Sequence, residues 1–167
     1  MATHSYGGAP RQGGYGNDRG SAPAASIKVD DIRFSPIPEE LFGDIAKEKA
    51  KTIWEAGLKR DRSGKPHLEK NKATQLRKFY DEMLLWHEKV HHEPSADAKA
   101  AKYAELAPFI KMMKAKVVYA KGRDHVDENF EKLFTHLVDK IVDADSLYLA
   151  KLFMEAFMGF YKEHKQN

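Results

Sequence analysis

The chain has 167 residues, 42% of them hydrophobic and 32% charged, with a formal net charge of +3 at pH 7; that suffices for one ordinary core and is short for several. It contains no cysteine, which excludes disulfide frameworks, thiol catalysis and thiolate metal sites and fits a reducing compartment. No run of about 18 apolar residues and no apolar secretory segment occurs, so a cytoplasmic protein without a membrane span is expected.

Residues 1–26 hold six of the eleven glycines together with Pro10 and Pro23, and almost no aliphatic side chains. A segment with so little to bury does not offset its ordering entropy, which predicts a disordered tail. Within it, Arg11-Gln-Gly-Gly-Tyr-Gly-Asn-Asp-Arg-Gly20 is similar to Arg/Gly/Tyr-rich tracts that hold RNA loosely, although a plain linker has the same composition.

The remaining residues, 27–167, are expected to form one domain. Pro36 and Pro38 suit the start of a first helix over Glu39–Ala56, with Leu41, Phe42, Ile45, Ile53 and Trp54 as its apolar stripe and Gly57 as its stop. A basic, turn-rich loop, Lys59–Pro66, follows. Asn71 or Thr74 is the expected cap of a second helix, in which Leu76, Phe79, Tyr80, Met83, Trp86 and Val90 recur at helical spacing and which ends before Pro94. Ser95 caps a third stretch running to about Lys121, where Pro108 either kinks the helix or begins a new one and Gly122 closes it. Two further helices are expected over about 125–143 and 145–165. Val126, Phe130, Leu133, Phe134, Leu137, Val138 and Ile141 give the first a wide apolar face. Leu147, Leu149, Leu152, Phe153, Phe157, Phe160 and Tyr161 cover more than one face of the second, which is therefore central or part of an interface. Without sustained strand alternation, the expected fold is an all-α compact bundle of five or six helices.

Charge is unevenly spread along this framework. Counting Lys and Arg against Asp and Glu, residues 1–57 carry −1, residues 58–123 carry +8 and residues 124–167 carry −4. From Ile110 to Arg123 there are Lys111, Lys114, Lys116, Lys121 and Arg123 with no carboxylate. Such a density favours phosphate and the release of its counterions. Lys116, Tyr119 and Arg123 fall at i, i+3 and i+7, and Lys114 and Lys121 lie two turns apart, which makes two adjacent basic stripes. On the second helix, Gln75, Arg77 and Lys78 point away from the Leu76, Phe79 and Met83 stripe, and Arg60, Arg62, Lys65 and Lys72 extend the surface along the preceding loop. Many donors with few stacking aromatics imply contact with a nucleic-acid backbone regardless of sequence.

One enzyme signature competes with this reading. His87-Glu88-Lys89-Val90-His91 satisfies the zinc-hydrolase pattern of two histidines one turn apart with a glutamate between them as general base. Glu105, Glu128 and Glu131 are the carboxylates at hand for a third ligand, and the sequence selects none of them. The motif also lies in the last turns of a helix, where histidines have a simple electrostatic reason to sit. Asp143 and Asp145, at a helix junction, read as turn and cap residues. No phosphate-cradling glycine loop occurs, and neither a catalytic nor a metal residue is assigned. A further alternative is a helical adaptor whose basic face binds an acidic protein.

Thr74-Gln-Leu-Arg-Lys-Phe79, Val118-Tyr-Ala-Lys-Gly-Arg123 and the aromatic-rich Phe157-Met-Gly-Phe-Tyr-Lys162, taken in order, resemble the small helical subunit of the type III-A CRISPR effector, the Csm complex. The resemblance covers about residues 39 to 165; the glycine-rich tail and the His87 to His92 cluster are not part of it. It implies a non-catalytic RNA-binding subunit without a cofactor, present in several copies beside the repeated backbone subunits and the large polymerase-like subunit. It would contact the guide RNA and the complementary target RNA through phosphate and ribose. By motif position, the RNA-facing residues it implies are Gln75, Arg77, Lys78, Tyr119, Lys121 and Arg123. Lys114 and Lys116 are added from the charge run.

Overall fold

The computed structural model describes residues 26–164, so the tail expected over 1–26 lies, apart from Ser26, outside the described residues. A π-helical turn over Leu41–Ile45 leads into α1 (Ala46–Ala56), a short ribbon of β1 (Leu58–Arg60) and β2 (Pro66–Leu68), then α2 (Ala73–His91), α3 (Ala96–Lys111), α4 (Met113–Gly122), α5 (Glu128–Lys140) and α6 (Ala144–Glu163). The expected all-α bundle therefore forms, with six α-helices among the described residues. The basic loop departs from expectation by pairing antiparallel, with Leu58 opposite Leu68 and Arg60 opposite Pro66. Its turn is held by the Asp61 carboxylate, which accepts from the Ser63 and Lys65 amides at 2.8 and 3.0 Å, and by Gly64 at φ +83°. That left-handed conformation suits glycine.

α6 is the central helix. Leu147, Ala150, Met154, Phe157 and Tyr161 recur at spacings of three and four and are buried. They pack along α1 and α2, while other faces touch α3, α5 and the π turn. On α5 and its flanks, all seven residues of the expected apolar face are fully buried. Phe79 of α2 meets Phe130 and Phe134 of α5 with ring centroids 5.5 and 5.0 Å apart, separations typical of favourable tilted aromatic pairs. The Asp143 carboxylate accepts from the Ser146 amide at 2.7 Å, and the Ser146 hydroxyl accepts in return from the Asp143 amide at 2.9 Å. This reciprocal cap starts α6, and Asp127 caps α5 in one direction only, accepting from the Phe130 amide at 2.9 Å.

Several boundaries differ from the sequence-based expectation. Asn71 does not cap α2 with its side chain, nor does Thr74: the N-cap position is Lys72 and it carries no side-chain cap. Gly57 ends α1 at φ −82°, so left-handed freedom is not what it supplies. A Cβ there would lie 2.5 Å from the Lys70 carbonyl oxygen, and the Gly57 carbonyl accepts from the Glu69 amide at 2.9 Å. The glycine permits the ribbon to return against the end of α1. Pro108 stays inside α3, and the break falls after it, at Met112. Gly122 is the last residue of α4, but the left-handed residue beyond it is Asp124, at φ +58°. The His125 amide reaches the Ala120 carbonyl at 3.0 Å and the Asp124 amide reaches Lys121 at 2.9 Å, a Schellman closure.

Asn71 ties these pieces together. It is fully buried at φ +57°, a conformation asparagine tolerates better than most side chains. Its side-chain amide donates to the Ile53 carbonyl at 2.9 Å and to Asp127 Oδ1 at 3.0 Å, while Oδ1 accepts from the Asp127 amide at 2.9 Å. Its backbone amide donates to the His125 carbonyl at 3.0 Å, and its carbonyl accepts from the Tyr161 hydroxyl at 2.5 Å. One residue thus joins the end of α1, the start of α5 and the end of α6. Elsewhere, Lys49 is 1% exposed and paired to Asp31 at 2.7 Å, which pins the N-terminal segment to α1.

Asn71→Ala is expected to lower the unfolding free energy by at least about 3 kcal/mol, since it strands buried donors and acceptors and places alanine at a strained φ. Urea denaturation checks this, with Thr74→Ala as the control that stays within about 0.5 kcal/mol of the parent.

Candidate nucleic-acid interface

On α2, Leu76 and Met83 are fully buried and Phe79 nearly so, which turns Arg77 and Lys78 outward on the opposite face. Lys78 donates to Gln75 Oε1 at 3.1 Å, which leaves the Gln75 NH2 group as the donor of that amide. Arg77 Nε lies 3.5 Å from Asp81 Oδ1 across an exposed helical turn, a weak pair that solvent screens.

The run on α4 looks different once folded. Its freedom from carboxylates is a property of sequence only, because α2 and α5 bring them in. Lys116 pairs with Glu82 of α2 at 2.6 Å, and Lys121 and Lys114 pair with Glu131 and Asp139 of α5 at 2.7 and 2.6 Å. The Glu131 partner raises the Lys121 pKa by hydrogen bond and charge. Lys111 is half-buried and donates to the Val138 and Ile141 carbonyls at 2.7 and 2.6 Å. It thereby caps the C-terminus of α5, and burial lowers its pKa. Arg123 is the exception: its guanidinium lies 5.7 Å from the Tyr119 ring centroid and donates to the Tyr119 hydroxyl at 3.0 Å. Tyr119 is 65% exposed, so the pair stands out from α4 as a cationic, aromatic projection. It is not core packing.

Arg60, Arg62 and Lys72 are exposed on the ribbon and at the start of α2, and Arg60 donates to the Gly64 carbonyl at 2.9 Å. Among the described residues, Arg60, Arg62, Lys65, Lys72, Lys78 and Arg123 take part in no ion pair. The structure therefore divides the expected basic surface into a largely neutralised α4 flank and a free set around the ribbon and the first half of α2.

The profile of the Csm2 Type III-A family matches residues 43–167, which take in every candidate just described. The chain belongs to the Csm2 type III-A family. No curated protein and no solved structure matches it. As a member of this family it is a small subunit of the type III-A CRISPR Csm complex, working beside the other subunits of that assembly. The Csm2 match begins after the glycine-rich tail, which leaves the Arg11 to Gly20 tract outside the shared region. Among the described residues, no helix is long and apolar enough to cross a membrane.

The histidine motif lies within the Csm2 match, with both rings half-buried against α6. The His87 and His91 rings stack on each other with centroids 4.4 Å apart, and Tyr148 of α6 covers His87 at 5.4 Å. His91 Nε2 lies 3.0 Å from the Ala144 carbonyl. Glu88 is exposed, Glu131 is held by Lys121, and Glu105 is held by Lys102 at 2.7 Å. No group of three His, Asp or Glu side chains with metal-binding proximity occurs among the described residues. In this Csm2 chain the motif's i, i+4 spacing builds an aromatic stack between α2 and α6.

Residues that sequence reading did not single out are His67, Lys162 and His164, which gather beside Thr74 and Arg77 where α6 ends. Lys162 closes the third family motif, but its distance along the chain from Arg77 gave no sign that the two are neighbours.

Burial, reinforced by the charge of His91, lowers the His87 pKa from 6.5 to about 4. The unfolded chain therefore takes up a proton that the folded one refuses, and stability falls as pH drops from about 6.5 towards 4. His87→Gln is expected to flatten that part of the stability profile, checked by denaturation at a series of pH values; an unchanged slope would place the acid sensitivity elsewhere.

Proposed function

We propose that this chain is a non-catalytic, cytoplasmic RNA-binding subunit, with residues 27–167 acting as one domain. It lines the groove of the effector in several copies and contacts guide RNA and target RNA through their backbones. The observation that carries the reading is the set of exposed cations, unpaired or held only by the weak, screened Arg77–Asp81 pair, on and beside two motifs of a Csm2 family member. Lys72 before α2, Arg77 and Lys78 on α2 and Arg123 beside Tyr119 supply charge, and Gln75 supplies a neutral donor to phosphate or ribose oxygen. Arg60 and Arg62 extend the same surface along the ribbon. Lys114, Lys116 and Lys121 contribute less, because RNA must compete with carboxylates already at 2.6 to 2.7 Å.

Four cations meeting single-stranded RNA correspond to a logarithmic salt slope of about −3, at roughly 0.7 per phosphate. Fluorescence anisotropy over a salt series checks this, and Arg77→Glu combined with Arg123→Glu is expected to weaken binding at least tenfold. A flat salt response sinks the mechanism. The internal pairing makes an opposite forecast as well: Glu131→Gln releases Lys121, tightens RNA binding and steepens the slope by about 0.7. If Lys121 were already free to bind, that substitution would leave the slope unchanged.

A further inference from the structure

Between the ribbon, the start of α2 and the end of α6 runs a two-lobed groove whose lobes share Ala73, Thr74 and Tyr161. The ribbon-side lobe encloses about 520 Å³, within the range of about 300–1,000 Å³ usual for small-ligand sites. Its lining includes the apolar Trp54, Leu58, Pro66 and Leu68 together with Lys72 and His67. The neighbouring lobe carries Arg77 and Lys162. An apolar wall with Lys72, Arg77 and Lys162 in the lining matches a ligand with a planar apolar body and an anionic end.

Two further observations narrow the ligand. His164, stacked on Trp54 with centroids 5.3 Å apart, lines this lobe, and its Nε2 is buried without a hydrogen-bond partner among the described residues. Such a nitrogen is open to a polar group from ordered water or from a ligand. Thr74 sits in the first turn of α2, which holds no acidic residue and no side-chain cap, so its amides and dipole favour an anion there. The Glu155 carboxylate in the second lobe is engaged by Lys151, which leaves the rim net positive.

We propose that this groove is a subsite for one unpaired nucleotide of the bound RNA, with its phosphate at Lys72 and the start of α2 and its base against Leu58, Leu68 and Trp54. The inference rests on the RNA-binding reading and adds a place where a single base leaves solvent. It accounts for a feature that backbone contact leaves unused, an apolar cleft beside free cations. The His164 nitrogen supplies the polar contact to the base edge.

The chain has two tryptophans, so Trp86→Phe leaves Trp54 as the reporter in the full-length protein. Adding a nine-nucleotide oligouridylate is expected to change Trp54 emission saturably, in step with anisotropy of the labelled RNA. Thr74→Glu places a carboxylate at the groove edge while complementing the α2 dipole, so its melting temperature holds or rises and the Trp54 response weakens at least tenfold. Arg123→Glu, which changes no residue lining the groove, weakens RNA binding but keeps the full Trp54 response at saturation. RNA binding by anisotropy with no Trp54 response, or a response that Thr74→Glu leaves intact, overturns the subsite alone. Absence of RNA binding overturns the underlying reading. Uridine monophosphate binding as tightly as the oligonucleotide would assign the groove to a free nucleotide and overturn the assignment to the strand.

Discussion

The structure depends first on the buried amide of Asn71. Its side-chain donors, side-chain acceptor and backbone groups reach Ile53, Asp127, His125 and Tyr161 at 2.5 to 3.0 Å. A buried polar group is tolerated only when its bonds are made, and a fully satisfied network is more specific than an apolar contact of the same size. Because the partners come from the ends of three helices, their satisfaction sets where α2 starts relative to α1, α5 and α6. Burial raises the pKa of the Tyr161 hydroxyl that completes the network, with a smaller contribution from Asp127. It therefore stays protonated as a donor. The groove, the ribbon behind it and the outward direction of Arg77 all follow from that placement.

Electrostatics in this fold is organised by pairing rather than by accumulation. The positive middle of the chain and its negative C-terminal part meet across the α4–α5 contact, where Lys114 and Lys121 find Asp139 and Glu131, while Lys116 turns to Glu82 of α2. Such exposed pairs add little stability, but they cancel local potential and lower the affinity of that flank for a polyanion. Lys111 serves α5 as a cap and is not a surface cation at all. What remains for a partner is fewer charges than the sequence offers, in a more defined place.

The histidines show how a spacing rule can be met for another reason. An i, i+4 pair puts two rings on one helical face whether or not a metal lies between them. Here the face packs on Tyr148, the rings lie 4.4 Å apart with 24° between their planes, and burial lowers the His87 pKa to about 4.

Much was legible in the sequence because it rests on local periodicity and local chemistry. The apolar spacing of Val126 to Ile141 and of Leu147 to Tyr161 fixes helices and their inner faces through 3.6 residues per turn. Ser95 and Asp143 announce helix starts because a short oxygen-bearing side chain reaches the amide three residues on. The family motifs were readable for the same reason, being contiguous. Tertiary structure alone decided the roles of Asn71, Gly57 and Asp124, the pairing of Lys59–Pro66 into a ribbon, and which cations stay free. Each of these turns on a neighbour distant along the chain, such as Glu131 for Lys121 or the Lys70 carbonyl for Gly57. A hydrogen bond or ion pair depends on where two groups meet in space, and helical periodicity carries no information about that once the chain has turned.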